Sequence, residues 1–258
     1  MTAIDPDGDG RVGTAKNCRR GLPSDEFVAE VMAERRIPGL AMAVVRRGEP
    51  TLLRCWGKRD IDAGAPVAPD TVFPICSVTK SFTATALALL VDEDRLDWDT
   101  PVRAVLPEFR LRDTVATEQA SLRDLLTHRT GLPRHDFVHM DGHLDNARIL
   151  AALRHLEPTK PFRGAWQYNN LMYLVAGLVL ERVSAERWDD FIRTRILRPL
   201  GMKRAATSLE DMLARHPDRA VGYAVLDGEP RRIPLRLIYA RPAGGIFSSA
   251  PPKATSGA

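Results

Sequence analysis

The sequence predicts an α+β fold, and three observations carry that prediction. Two apolar runs joined by a glycine-containing turn stand near the amino end, at 39–47 and 51–57. From residue 77 the apolar spacing becomes helical and stays so to about residue 198. Short strand-like pieces then return around "AVGYAVLDGEPRRIPL".

Taken in order, the chain opens on "MTAIDPDGDGRVGTAKNCRRGLP", rich in Gly and Asp and without periodicity, which reads as a flexible leader over 1–23. Within it Asp5, Asp7, Asp9 and Gly10 match the first half of a calcium loop. The twelfth position holds Lys16 where a bidentate Glu is needed, which counts against calcium. Ser24 caps a helix, "DEFVAEVMAERR", with Phe27, Val28, Val31 and Met32 on one face and acids in the first turn. The two apolar runs then form a β-hairpin, followed by the proline-rich connection "APVAPDTVF". Helices are expected near 77–93, 121–127, 145–156, 169–184 and 186–198, with "PLGM" ending the last. A domain over 24–250 is followed by the Pro-, Ser- and Ala-rich tail 251–258, which reads as disordered.

Bulk composition narrows the function classes. The 258 residues are 44% hydrophobic and 27% charged, as in an ordinary globular protein. The net charge of +4 comes from arginines scattered in pairs and mixed with acids. A nucleic-acid binder gathers such residues on one stripe, so solvated surface is the better reading and no nucleic-acid partner is expected. Cys18, Cys55 and Cys76 have no C-x-x-C spacing, and neither a disulfide framework nor a zinc knuckle follows. The first thirty residues lack a signal-type apolar stretch, and "LMYLVAGLVL" is about half the length of a membrane span. Cytoplasmic location with no membrane partner is therefore expected; no oligomeric state is implied.

Chemistry concentrates at "FPICSVTKSFTATALALLV", where Ser77 and Lys80 stand three apart at the start of a helical run. Positions i and i+3 share a helix face, so the two side chains can touch. A serine hydroxyl needs a base to take its proton. Lysine becomes that base once its ammonium is destabilised, by burial or by the positive end of a helix. The plainer reading makes Ser77 an N-cap and Lys80 a solvated side chain. Cys76 beside the serine points about 100° away on a helix and reads as packing. His135, His139 and His143 are spaced by four, as metal ligands on a helix can be, but Pro133 and Gly142 bracket them and a loop or lid is the better reading.

The segment "PDTVFPICSVTKSFTATALALLVDEDRLDWDTPVRAVLPEF" resembles the nucleophile helix of the serine β-lactamase-like family, which includes class C β-lactamases, D-Ala-D-Ala carboxypeptidases and related esterases. In family order, "IPGLAMAVVRRGE" is similar to the first strand and "LRDLLTHRTGLP" to the segment after the nucleophile helix. "YNNLMYLVAGLVLE" resembles the Y-x-N motif and "RPAGGIFSSA" the Gly-Gly turn that follows it. The resemblance covers about 25–250. It implies a mixed sheet domain with a large helical domain, and it implies roles: Ser77 as nucleophile, Lys80 as its partner, Tyr168 as proton carrier, and Asn170 as a substrate donor that also holds Lys80. A backbone N–H of Ser77 would be half of an oxyanion hole. For Tyr168 and Asn170 the plainer reading is a helix-start tyrosine and a cap. No metal or cofactor is implied.

The family's third motif, K-T-G or H-x-G, finds no match after Tyr168. "RTG" at Arg129–Gly131 lies before Tyr168 and is a poor substitute. The C-terminal strands and closing helix of the family are expected to be absent, leaving the hairpin with an unpaired edge. Two readings follow. One is a serine hydrolase forming an acyl-enzyme on Ser77 and acting on a β-lactam, a D-amino-acid peptide or a small ester. The other is a catalytically inactive, truncated relative with a binding or interaction role.

Overall fold

The structure is a computed structural model and describes residues 23–49, 51–136, 138, 144–235 and 240–250. The leader apart from Pro23, the calcium-like loop, His139, His143 and the tail 251–258 lie outside the described residues. The chain divides into two compact units, Met1–Pro69 with Tyr223–Arg232 and Lys253–Ala258, and Asp70–Gly222 with Ile233–Pro252.

The first unit begins with helix α1 (Asp25–Glu34), where the Ser24 side chain accepts from the Phe27 amide and Asp25 and Glu26 sit in the first turn. Of the face expected to pack, Val28 is buried, but Phe27 is 50% exposed. Strand β1 (Gly39–Val44) then pairs antiparallel with β2 (Leu52–Asp60), in a register running from Gly39 opposite Gly57 to Val44 opposite Leu52. The short β3 (Ala65–Pro66) adds to β2, giving the order β1-β2-β3 among the described residues. All six residues of β1 are half-buried, so neither of its faces is closed off. Two later strands, β5 (Gly222–Leu226) and β6 (Glu229–Ile233), form a ribbon closed by Asp227 and Gly228 at φ 51° and 79°. Two successive positive φ values give the turn that matches strand twist, and Asp-Gly is the pair suited to it.

The second unit holds the main core. A short pair, β4 (Phe73–Pro74) with β7 (Phe247–Ser248), stands at its edge. A 3₁₀ turn at Cys76–Val78 leads into α2 (Thr79–Asp92), which buries Lys80, Thr83, Ala86, Leu87 and Leu90. Short helices α3 (Val102–Val105) and α4 (Thr114–Gln119) precede α5 (Leu122–Leu126), whose Ser121 and Asp124 form a reciprocal capping box. Then come α6 (Asn146–Ala152), α7 (Asn170–Ser184), α8 (Trp188–Ile192, continued by a π turn to Leu197), α9 (Leu209–Arg215) and α10 (Arg241–Gly244). The helices expected near 77–93, 121–127, 145–156, 169–184 and 186–198 are found as α2, α5, α6, α7 and α8, whereas α3, α4, α9 and α10, of four to seven residues, were not expected. These four each span two turns or fewer, too little for a 3.6-residue pattern to register.

Helix α7 is apolar nearly all round, with Leu171 to Gly177, Val179 and Leu180 buried, as befits a central helix. It packs on α2, α5 and α10. Gly177 permits the close approach of α10, because a Cβ there would stand 2.3 Å from Pro242 Cγ. No helix among the described residues is long and apolar enough to cross a membrane.

Candidate active site

The site is assembled from the start of α2 and the start of α7. Ser77 lies in the 3₁₀ turn, and Lys80 is one turn further on, 8% exposed. Val78, not Ser77, is the residue flanking α2, and it makes no side-chain cap. The Ser77 hydroxyl is used elsewhere: its Oγ is 2.5 Å from Tyr168 Oη and accepts from Lys80 Nζ at 3.1 Å. Tyr168 immediately precedes the N-cap of α7. That cap is Asn169, whose side chain accepts from the Met172 amide, which leaves the next residue, Asn170, free of the capping duty. Asn170 Oδ1 accepts from Lys80 Nζ at 2.8 Å. The structure thus brings Ser77, Lys80, Tyr168 and Asn170 into one cluster.

The "RPAGGIF" segment closes the far side. Lys80 Nζ donates to the Ala243 carbonyl at 2.8 Å and Thr83 Oγ1 donates to the Pro242 carbonyl at 2.8 Å. The Ile246 amide donates to Thr79 Oγ1. Three contacts therefore latch α10 and its exit along one face of α2.

Burial holds the Lys80 ammonium below its ordinary lysine range, and Arg134 pushes the same way. Tyr168 and Asp136 oppose that shift without cancelling it. Lys80 Nζ stands 4.7 Å from the Tyr168 ring centroid and 5.3 Å from that of Tyr173. Burial, with the Tyr168 charge adding, pushes the Tyr173 phenol up to about 12, and its hydroxyl donates to the Leu126 carbonyl.

Three neighbours of the site were not singled out by sequence. His128 is buried, its ring lies 4.8 Å between centroids from that of Tyr168 at an interplanar angle of 42°, and its Nδ1 accepts from the Asn169 amide. Burial, with Lys80 adding, pushes its imidazole down to about 4, so it is neutral at pH 7. Arg134 lies 4.9 Å from the Tyr168 ring centroid, and Asp136 Oδ1 accepts from Asn170 Nδ2 at 2.9 Å. His128 lies inside the segment "LRDLLTHRTGLP" that the sequence had already picked out, and the other two follow it directly.

One other expectation needs correction. Cys76 is exposed, not packed: its φ of 46° puts it before the helix proper, where helical geometry does not yet govern its direction. The "RTG" stretch is a structural splice. Thr130 is buried, Arg129 and Arg163 exchange hydrogen bonds, and Gly131 O accepts the amides of Thr159 and Lys160. Arg163 also pairs with the buried carboxyl of Asp124 at 2.7 Å. Burial alone would raise the Asp124 pKa, but Arg163 and Ser121 hold it below the usual carboxylate range.

The family model described as Beta-lactamase matches residues 25–251. The chain belongs to the beta-lactamase family. An unguisins hydrolase of Aspergillus campestris is 36% identical over 230 residues, covering 84% of this chain and 43% of that protein. A class C beta-lactamase structure from Rhodobacter sphaeroides superposes with a TM-score of 0.71 at 28% identity, covering 87% of this chain and 61% of that one. The D-amino acid amidase of Ochrobactrum anthropi SV3 gives 0.71 at 29%, covering 86% and 65%. This beta-lactamase-family chain spans less than half the length of the curated relatives it matches, 43% and 36% of the first two. Its relatives include hydrolases, and its fold is the α+β fold that the sequence predicted.

Proposed function

We propose that this chain is a serine hydrolase that forms an acyl-enzyme on Ser77. The observation that carries the reading is the meeting of Ser77 Oγ with Tyr168 Oη at 2.5 Å and Lys80 Nζ at 3.1 Å. Two of the three atoms around Lys80 Nζ, Asn170 Oδ1 and Ala243 O, are acceptors only. An uncharged amine gives them its two N–H groups and turns its lone pair toward Ser77 Oγ. Burial favours that uncharged form.

In the first step the Ser77 proton passes to Lys80, directly or through Tyr168, as Oγ bonds to the substrate carbonyl carbon. The carbonyl oxygen becomes an oxyanion, for which the Ser77 backbone N–H is one donor. Collapse breaks the bond to the leaving group, which takes a proton from Tyr168. Water then releases the acid by the reverse proton path. Asn170 holds Lys80 and places the substrate. A β-lactam, a D-amino-acid peptide and a small ester all suit this chemistry. The names of the relatives, a hydrolase of unguisins, a D-amino acid amidase and a beta-lactamase, favour an amide carbonyl over an ester.

The test is covalent labelling. Protein that melts cooperatively is expected to take up a fluorophosphonate or a fluorescent penicillin at Ser77, and Ser77→Ala to take up neither. Labelling that persists in Ser77→Ala would mean that the nucleophile is misassigned. No labelling of folded wild type by either probe favours the inactive, binding-module reading.

A further inference from the structure

Asn170 stands between neighbours of opposite hydrogen-bonding character. On one side Lys80 Nζ donates to its Oδ1 at 2.8 Å, and on the other its Nδ2 donates to Asp136 Oδ1 at 2.9 Å. The amine offers N–H groups and the carboxylate offers lone pairs. Turning the amide over would set donor against donor and acceptor against acceptor, so the two contacts together select one orientation. The other oxygen of Asp136 accepts from Arg134 Nε at 2.6 Å, and the Arg134 guanidinium covers the Tyr168 ring. Pro133 O accepts from Asn169 Nδ2 at 2.5 Å. One loop, 133–136, therefore engages three consecutive residues, Tyr168, Asn169 and Asn170.

We propose that Asp136 is a positioning residue of this site, its carboxylate holding the Asn170 amide with Oδ1 turned to Lys80 while Arg134 braces Tyr168 from the same loop. The proposal deepens the serine-hydrolase reading and rests on it. Asp136 acts through Asn170 and touches no reacting atom. The pair also tunes Lys80 in opposite senses. The ionisable groups facing Lys80 are Tyr168 ahead of α7, Tyr173 on α7, His128 after α5, and Arg134 and Asp136 of the loop. At pH 7 His128 is neutral and Tyr173 is protonated. Removing the negative charge of Asp136 disfavours the ammonium, whereas removing the positive charge of Arg134 favours it.

The experiment follows the titration of Lys80 by NMR of ¹⁵N-lysine-labelled protein, alongside the pH dependence of fluorophosphonate labelling at Ser77. Wild type, Asp136→Ala, Asp136→Asn and Arg134→Ala are compared. Lys80 is expected to titrate at lower pH in both Asp136 variants and at higher pH in Arg134→Ala, with the acid limb of labelling moving in the same directions. The labelling rate should drop about tenfold in Asp136→Ala, the worth of a hydrogen bond to a charged group. It should largely recover in Asp136→Asn, whose amide oxygen can still accept from Asn170. An unchanged Lys80 titration in both Asp136 variants, with only the melting temperature altered, would overturn the proposal. If Asp136→Ala does not fold, Asp136→Asn and Arg134→Ala still decide it. If wild type does not label, the hydrolase reading fails, and the Lys80 titration judges the positioning role separately.

Discussion

In the helical unit Leu87, Leu90, Phe109, Leu125, Leu174 and Phe191 are each wholly buried, whereas among the described residues of the strand-rich unit Val28 and Val67 alone fall among the buried apolar side chains. Both units have regular secondary structure, so the contrast is one of packing. A close-packed interior admits few alternative side-chain positions. The reactive cluster stands at the starts of α2 and α7, the helices that contribute the most buried residues to that interior. The placement of Ser77, Lys80 and Tyr168 within hydrogen-bond reach of one another is thus supplied by the unit that can hold it. The half-buried strand β1 has no comparable duty within its own unit.

Core truncation sharpens the contrast most. Leu87→Ala should cost about 2–5 kcal/mol by urea denaturation, since a cavity is left in a closed core. The matching deletion in the sheet, Leu53→Ala, belongs at the far end of the scale. Leu53 is half-buried, and its loss should cost about 1 kcal/mol or less. Equal costs would break the comparison.

Acid should weaken the helical unit next. The His128 pKa is lowered from 6.5 to about 4 in the fold, so its contribution is intact above pH 6.5 and is lost as pH falls through the window down to about 4. Protonation also removes the Nδ1 acceptor used by the Asn169 amide. The stability difference between wild type and His128→Gln, measured by thermal melts across that window, should shrink toward acid. A difference that stays constant from pH 7 to 4 would place the effect elsewhere.

A smaller but more localised change is Gly177→Ala. The added methyl meets Pro242, and overpacking of this kind costs about 1–3 kcal/mol. Because Ala243 is the neighbour of Pro242 and an acceptor for Lys80, labelling at Ser77 should slow more than the loss of stability alone explains. Faster labelling, or no change, would detach α10 from the site.

The sequence alone made much of this legible. The i, i+3 spacing puts Ser77 and Lys80 on one helix face, but their pairing with Tyr168 and Asn170 is legible only through the resemblance of "YNNLMYLVAGLVLE" to the Y-x-N motif of the serine β-lactamase-like family. The hairpin was legible through its alternation of apolar runs about a glycine turn. Asp136 and Arg134 were not, since their meeting with Asn170 and Tyr168 depends on the path of a loop 34 residues away in sequence. His128 was hidden for another reason: a buried neutral imidazole carries no spacing rule of its own. Phe27, 50% exposed, shows a further limit: helical periodicity says which residues share a face but not how much of that face is covered.

Helix α7 carries Asn170 on its first turn and Gly177 two turns later, and each governs a different acceptor of the same lysine: one directly, the other through Pro242 and the Ala243 carbonyl. A sideways slip or rotation of this rod would loosen both grips on the amine at once. The distance between them is set by helical rise, about 1.5 Å per residue, not by any loop. The lysine is therefore gauged by a ruler built into the backbone, and its reach should tolerate changes at the surface far better than a single extra methyl at Gly177.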